Sequence, residues 1–189
     1  LVELNEIPKN LVNGVIATED KKFYEHNGIR PLSLARSIVY GLLGKGRIGG
    51  GASTLTQQLV KNAIVGDERR GLGGITRKAK EMVMSVWLEQ KYTKDQILKI
   101  YFNEIPYGST NYGVQAAAQS YFGKSVTDLN LSESATLAGL PQQPSVFLNN
   151  PEALRQRRNL VLQRMVEEGY LKQEEADAAK AEPITLRRQ

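Results

Sequence analysis

Two carboxylates have surroundings that suit chemistry. Glu19 closes the apolar run Gly14-Val15-Ile16-Ala17 and precedes a turn rich in Lys and aromatic residues. A carboxylate in an apolar pocket is harder to ionise, so its pKa rises and it becomes suited to general-base work. On spacing alone the same residue also fits an ordinary glutamate at a helix end. Glu81 sits among Arg77, Lys78 and Lys80. It can organise cations, or it can make local helical ion pairs worth about 0.3–0.5 kcal/mol each. The segment 49–62, GGGASTLTQQLVKN, sets glycines before a Ser/Thr helix start, a pattern that exposes backbone N–H groups to an anion. Lys61 follows Gln57 by four and Gln58 by three, so the three share a helix face and are expected to meet phosphate and sugar oxygens. The order Gly-x-x-x-x-Gly-Lys-Ser/Thr of a nucleotide phosphate loop is absent. His26 fits a structural role better than a catalytic one. Trp87 and the methionines fall on a helical stripe and read as core. Tyr101 and Tyr107, near the turn Asn103–Gly108, line a sugar cleft or simply pack.

Composition narrows the chemistry further. The chain has 189 residues, no cysteine and one histidine. Thiol catalysis, Cys-ligated zinc and multi-His metal sites are excluded. The net charge of +5 is unevenly spread. Residues 28–80 hold ten basic and two acidic side chains, while the segments on either side are slightly acidic. Such a surplus calls for an anionic partner. A nucleic-acid module would line its basic residues along one continuous helix face. Here they lie across loops and helix starts, so no nucleic acid is expected.

The elements that must carry these residues read as helices. Pro8 suits a first turn, with Leu11, Val15 and Ile16 on one face. Pro31 opens a segment aligning Leu34, Ile38 and Leu42. A glycine-rich loop, GKGRIGGGAS, follows. Thr54 and Gln57 have capping-box spacing and start a helix through Ala63. The loop GDERRGLGG leads to a longer helix with Ala79, Met82, Val83, Val86, Trp87 and Gln90 along its buried stripe. Thr93 and Gln96 open the next, with Ile97, Ile100 and Tyr101 inward. Further helices are expected over 112–122, over 132–140, from Asn150-Pro151 to near Gly169, and over 173–181. Strand-like alternation is scarce, so the class is mainly α. No run of 18 apolar residues occurs, the N-terminus lacks a signal-peptide pattern, and the chain reads as an excised domain.

Five motifs in order now resemble a known family. Glu19-Asp20-Lys21-Lys22-Phe23-Tyr24-Glu25-His26-Asn27-Gly28 resembles its Glu-Asp-x-x-Phe-x-x-His-x-Gly. Gly51-Ala52-Ser53-Thr54-Leu55-Thr56-Gln57-Gln58, with Lys61-Asn62, resembles the second motif. Arg77-Lys78-Ala79-Lys80-Glu81 resembles Arg-Lys-x-x-Glu. Lys94 through Ile97-Leu98 to Tyr101 and Asn103 resembles the fourth, and Arg157-Arg158-Asn159-Leu160-Val161-Leu162 the fifth. The family is the peptidoglycan glycosyltransferases of glycosyltransferase family 51, found in class A penicillin-binding proteins and monofunctional transglycosylases. Two departures mark this chain. Lys99 stands where the fourth motif usually has Glu, and the loop Gly66–Ile75 is several residues longer than usual.

The resemblance implies a lysozyme-like, mainly α fold with a head lobe and a smaller membrane-facing jaw. It implies one glycosyltransferase domain over 1–189, with the mobile jaw roughly at 32–75. It implies polymerisation of lipid II, with the growing glycan on undecaprenyl pyrophosphate as donor and the acceptor GlcNAc 4-hydroxyl attacking with inversion. Glu19 is then the general base, and Glu81 holds the pyrophosphate cations or helps bind Mg²⁺ or Mn²⁺. Substrate contacts carry over to Ser53, Gln57, Gln58, Lys61, Lys78, Lys80, Arg36, Asn103 and either Arg69 or Arg70. Ile38, Val39, Leu42 and Leu43 are expected at the bilayer interface. Moenomycin-type inhibitors, a following transpeptidase domain and the extracytoplasmic face of a bacterial membrane complete the expectation.

Overall fold

Apolar residues at helical spacing and a series of N-terminal caps give a chain built of helices. The computed structural model describes residues 1–29, 53–63, 74–108 and 111–187, with the backbone alone at residues 63 and 74–77. Among these, extended pairing is limited to an isolated antiparallel bridge between Pro106 and Tyr112. The expected mainly α class holds. The segment 32–43, the glycine-rich stretch 44–52, most of the loop 66–74, Arg36, Arg69, Arg70 and the side chain of Arg77 lie outside the described residues.

The chain divides into two units. The first comprises Leu1–Lys21 and Phe102–Gln189. It contains α1 (Lys9–Glu19), α5 (Val114–Phe122), α6 (Leu131–Gly139), α7 (Pro144–Leu148), α8 (Pro151–Glu167) and α9 (Gln173–Lys180). Helices α1, α6 and α8 pack mutually, with Leu11, Val15, Ile16, Leu137, Val161, Leu162 and Met165 buried. Gly14 permits the close approach: a Cβ there would lie 3.1 Å from Ala138 Cβ and 3.2 Å from Val161 Cγ1. Asn130 caps α6 in a reciprocal box with Glu133, and Asn150 caps α8 by accepting from the Ala153 N–H. Gly123, at φ +65°, ends α5 in the left-handed conformation glycine favours. The short α7 is an element the sequence reading lacks. Pro144 begins it, but five residues are too few to show a period.

The second unit is Lys22–Tyr101 and holds α2 (Leu55–Ala63), α3 (Gly74–Lys91) and the first two turns of α4 (Lys94–Glu104). Both expected capping boxes form. The Thr54 N–H donates to Gln57 Oε1 (2.9 Å) and the Gln57 N–H to Thr54 Oγ1 (3.1 Å). Thr93 and Gln96 repeat the pattern at 2.8 and 3.1 Å.

The expected buried stripe of α3 is wrong. Val83 and Trp87 are exposed, at 69% and 46%, and Ala79 and Gln90 are exposed too. The buried face is Glu81, Ser85 and Leu88. Apolar residues occur all round this helix, so packing decides. Val60 of α2 clusters with Leu88 and partly buried Met84, which turns Val83 and Trp87 to the opposite side. Ser85 satisfies its hydroxyl on the Glu81 carbonyl (2.7 Å). Trp87 carries Lys91 Nζ over its ring at 6.0 Å. In α4 the inward residues are Ile97, Leu98, Tyr101 and Phe102, with Ile100 only half-buried.

Candidate active site

Glu19 is the last residue of α1, and the three-helix packing of the first unit fixes where its side chain emerges. Its Oε1 accepts a hydrogen bond from Arg157 Nη2 at 2.9 Å. Both side chains are largely buried, at 8% and 11% exposure. Arg157 is gripped elsewhere too. Its Nε donates to the carbonyl of Gly139, the last residue of α6, at 3.0 Å. Its guanidinium lies 5.5 Å from the Phe147 ring of α7. The apolar pocket expected around Glu19 is thus an ion-paired one. An opposite charge favours the ionised carboxylate, against the effect of burial. Tyr107 stands close by, fully buried, its hydroxyl without a hydrogen-bond partner among the described residues. Burial first, and the Glu19 charge second, push its phenol far above the ordinary tyrosine range, so it stays neutral.

Arg157 lies within the fifth motif, and its spacing in the sequence points to no partner. The partner lies 138 residues away, and the adjacent Arg158 looks identical on paper. The structure separates them. Arg158 is fully buried and donates to Ser132 Oγ (3.1 Å) and to the carbonyls of Glu182 (2.7 Å) and Lys180 (2.9 Å).

The second unit gathers three of the expected contacts. Lys78 Nζ donates to Ser53 Oγ at 3.0 Å and lies 3.7 Å from Glu81 Oε2. Glu81 is buried, at 3% exposure, so the lysine is held by a carboxylate that water barely reaches. Lys61 and Lys80 are exposed residues. The expected trio on α2 is divided. Lys61 is exposed, Gln58 is half-buried with its Oε1 3.4 Å from the Tyr101 hydroxyl, and Gln57 is buried with its Oε1 closing the cap. Asn103, in the first unit, gives its amide to the Val2 backbone, accepting from N–H and donating to C=O at 2.9 Å each.

A buried cluster supports this cation site. Glu89 Oε2 accepts from Thr56 Oγ1 and Lys94 Nζ, both at 2.8 Å, and lies 3.8 Å from His26 Nδ1. The Gly28 N–H donates to that Nδ1 at 3.0 Å. Thr54 Oγ1 donates to the Gly28 carbonyl at 2.6 Å. Gly28 has φ +103°, and a Cβ there would meet the Ser85 carbonyl oxygen at 2.7 Å. His26 thus packs within a buried hydrogen-bonded cluster.

Mg²⁺ prefers several oxygen ligands. Among the described residues no three His, Cys, Asp or Glu side chains cluster, and Glu81 has the Lys78 ammonium 3.7 Å away. No step is routed through a divalent cation.

Comparison with known proteins finds a family for the chain. Residues 1–166 match the family model described as Transglycosylase. The chain belongs to the transglycosylase family. It is a domain of the peptidoglycan glycosyltransferase class, a transferase. Penicillin-binding protein 1A of Vibrio cholerae serotype O1 is 45% identical over 185 residues, 97% of this chain and 22% of that protein. Penicillin-binding protein 1A of Escherichia coli K12 is also 45% identical, over 97% of this chain and 21% of that protein. The crystal structure of penicillin-binding protein 1A from Haemophilus influenzae superposes with a TM-score of 0.59 at 30% identity, covering 99% of this chain and 18% of that one. The transglycosylase chain thus spans about a fifth of the length of these relatives. Among its described residues no helix is long and apolar enough to cross a membrane.

Proposed function

We propose that this transglycosylase domain polymerises lipid II into glycan strands. The donor is the growing glycan on undecaprenyl pyrophosphate, and the acceptor is the GlcNAc 4-hydroxyl of an incoming lipid II. Glu19 takes the proton of that hydroxyl as its oxygen attacks C1 of the donor sugar. The C1–O bond to pyrophosphate breaks on the opposite face, and the configuration inverts. A sugar hydroxyl is a poor nucleophile until its proton leaves, and a positioned base contributes about 10²–10⁴ in rate. Pyrophosphate leaves with its electron pair and needs cations rather than an acid. Lys78, with Ser53 and Glu81 around it, and the exposed Lys61 and Lys80 are assigned to it. Arg36 and one of Arg69 or Arg70 join them, with Gln57, Gln58 and Asn103 as supporting contacts.

The observation that carries this reading is a buried carboxylate held in place by a guanidinium at the end of a packed helix. Glu19→Gln is expected to abolish polymerisation of lipid II while leaving substrate binding nearly intact. Activity within tenfold of wild type would refute the assignment. The lipid substrate places the domain at the extracytoplasmic face of a bacterial membrane, with Ile38, Val39, Leu42 and Leu43 at the bilayer interface. Moenomycin-type phosphoglycolipids, as donor mimics, are expected ligands. The intact protein is expected to carry a transpeptidase domain, a reading supported by the length of the relatives.

A further inference from the structure

We propose that Arg157 is the positioning residue of the reaction: it orients the Glu19 carboxylate through Oε1 and keeps it ionised until the acceptor hydroxyl arrives. The inference rests on the reading of Glu19 as general base and adds a second residue to that reading.

The guanidinium is fixed by groups other than Glu19. Helix α8 supplies it, α6 accepts from its Nε through the Gly139 carbonyl, and α7 places the Phe147 ring 5.5 Å away. The C-terminal end of α6 carries partial negative charge and so favours a cation there. The approach to α6 needs a glycine. A Cβ on Gly139 would lie 2.7 Å from Arg157 Cγ, inside any ordinary contact. Arg157 is therefore pre-set, and Glu19 docks on it.

Burial gives the pair its effect on charge. Surface ion pairs are screened by water and salt, but these side chains are about nine-tenths buried. Among the described residues, the titratable and charged groups around Glu19 include Arg157 from α8, Tyr107 from the turn after α4, and Asp20 next along the chain. Helix α6 offers the Gly139 carbonyl, and its one charged residue, Glu133, is bound to Lys124 at the far end. Burial opposes a charge on Glu19, as does the neighbouring Asp20 when ionised, and Arg157 supports it. Arg158 serves as an internal contrast, since its bonds run to Ser132 and to two carbonyls near the C-terminus.

The test is the pH dependence of kcat for lipid II polymerisation by the intact protein. Loss of the positive charge makes the ionised carboxylate less favourable, so it takes up a proton at higher pH and the acid limb moves upward. Arg157→Gln is expected to lower kcat about 100-fold with little change in KM. Its acid limb should rise by about one pH unit or more. Arg157→Lys keeps the charge and is expected to keep the limb near its wild-type position. Gly139→Ala leaves Arg157 in the chain but displaces it, and should move the limb upward as well. It carries the test if Arg157→Gln fails to fold. Arg158→Gln is expected to lower stability and leave the limb in place. An acid limb at the wild-type pH in both Arg157→Gln and Gly139→Ala overturns the proposal. If Glu19→Gln stays active, the general-base reading itself fails. If Glu19→Gln is dead and both variants titrate as wild type, this inference alone fails.

Discussion

Glu19 and Glu81 carry the same functional group and keep different company. Glu19 meets a planar guanidinium fixed by three helices, while Glu81 meets the flexible ammonium of Lys78, itself shared with Ser53. The first arrangement holds a carboxylate still. The second holds a cation beside a buried negative charge. Lys78→Ala, Lys61→Ala and Lys80→Ala are each expected to weaken a moenomycin-type inhibitor about tenfold or more, since hydrogen bonds to charged groups contribute about 1.5–3 kcal/mol. Titration calorimetry measures this, and unchanged affinity in all three would remove the cations from the donor site. Tyr107 gives a stability prediction. Its buried hydroxyl has no partner among the described residues, and an unsatisfied buried hydroxyl costs about 1–3 kcal/mol. Tyr107→Phe is expected to leave the melting temperature unchanged or raise it. A clear fall would mean the hydroxyl is bonded. At this scale the sequence singles out Glu19, Glu81, Lys78 and Ser53 as candidates through motif and charge. It could not reveal Arg157, because the chain offers two adjacent arginines and only packing tells which one faces the carboxylate.

Helices were legible where their ends were written in local chemistry. Thr54 with Gln57 and Thr93 with Gln96 are short-range signals, and both boxes form as read. The buried face of α3 was not legible, because it depends on which neighbour arrives. That neighbour is α2, which packs toward Leu88 and leaves Trp87 outside. Leu88→Ala is therefore expected to cost about 2–5 kcal/mol and Trp87→Ala to stay within about 0.5 kcal/mol. Denaturant unfolding of the two variants separates them, and the reverse order would restore the sequence-based stripe. Gly28 joins two elements of the second unit by close approach. With a left-handed backbone and the Ser85 carbonyl in the way of a Cβ, Gly28→Ala is expected to cost about 1–3 kcal/mol.

For the molecule as a whole, the net charge of +5 conceals its distribution. The surplus sits in residues 28–80, so binding of a pyrophosphate lipid should weaken steadily with salt, because the screening length is about 8 Å at physiological ionic strength. Three tyrosines set the alkaline limit. Burial leads in raising Tyr107, Tyr121 and Tyr170 above the ordinary phenol range. Their unfolded forms release protons near pH 10, while the folded forms retain them. Stability should therefore be undisturbed by these groups below that pH and fall as pH climbs above it. Thermal melts from pH 8 to pH 11 check the sign, and the Tyr107→Phe variant should lose less.

Arg158 also has a mechanical consequence. Its guanidinium holds the Lys180 and Glu182 carbonyls, and the Arg187 N–H donates to the Tyr121 carbonyl at 2.7 Å. Tension applied at Arg187 loads the Tyr121 bond first and the guanidinium next, before α9 can unravel. The force then enters α8 at residue 158. A tug on the C-terminal segment is thus felt one residue from the grip on Glu19.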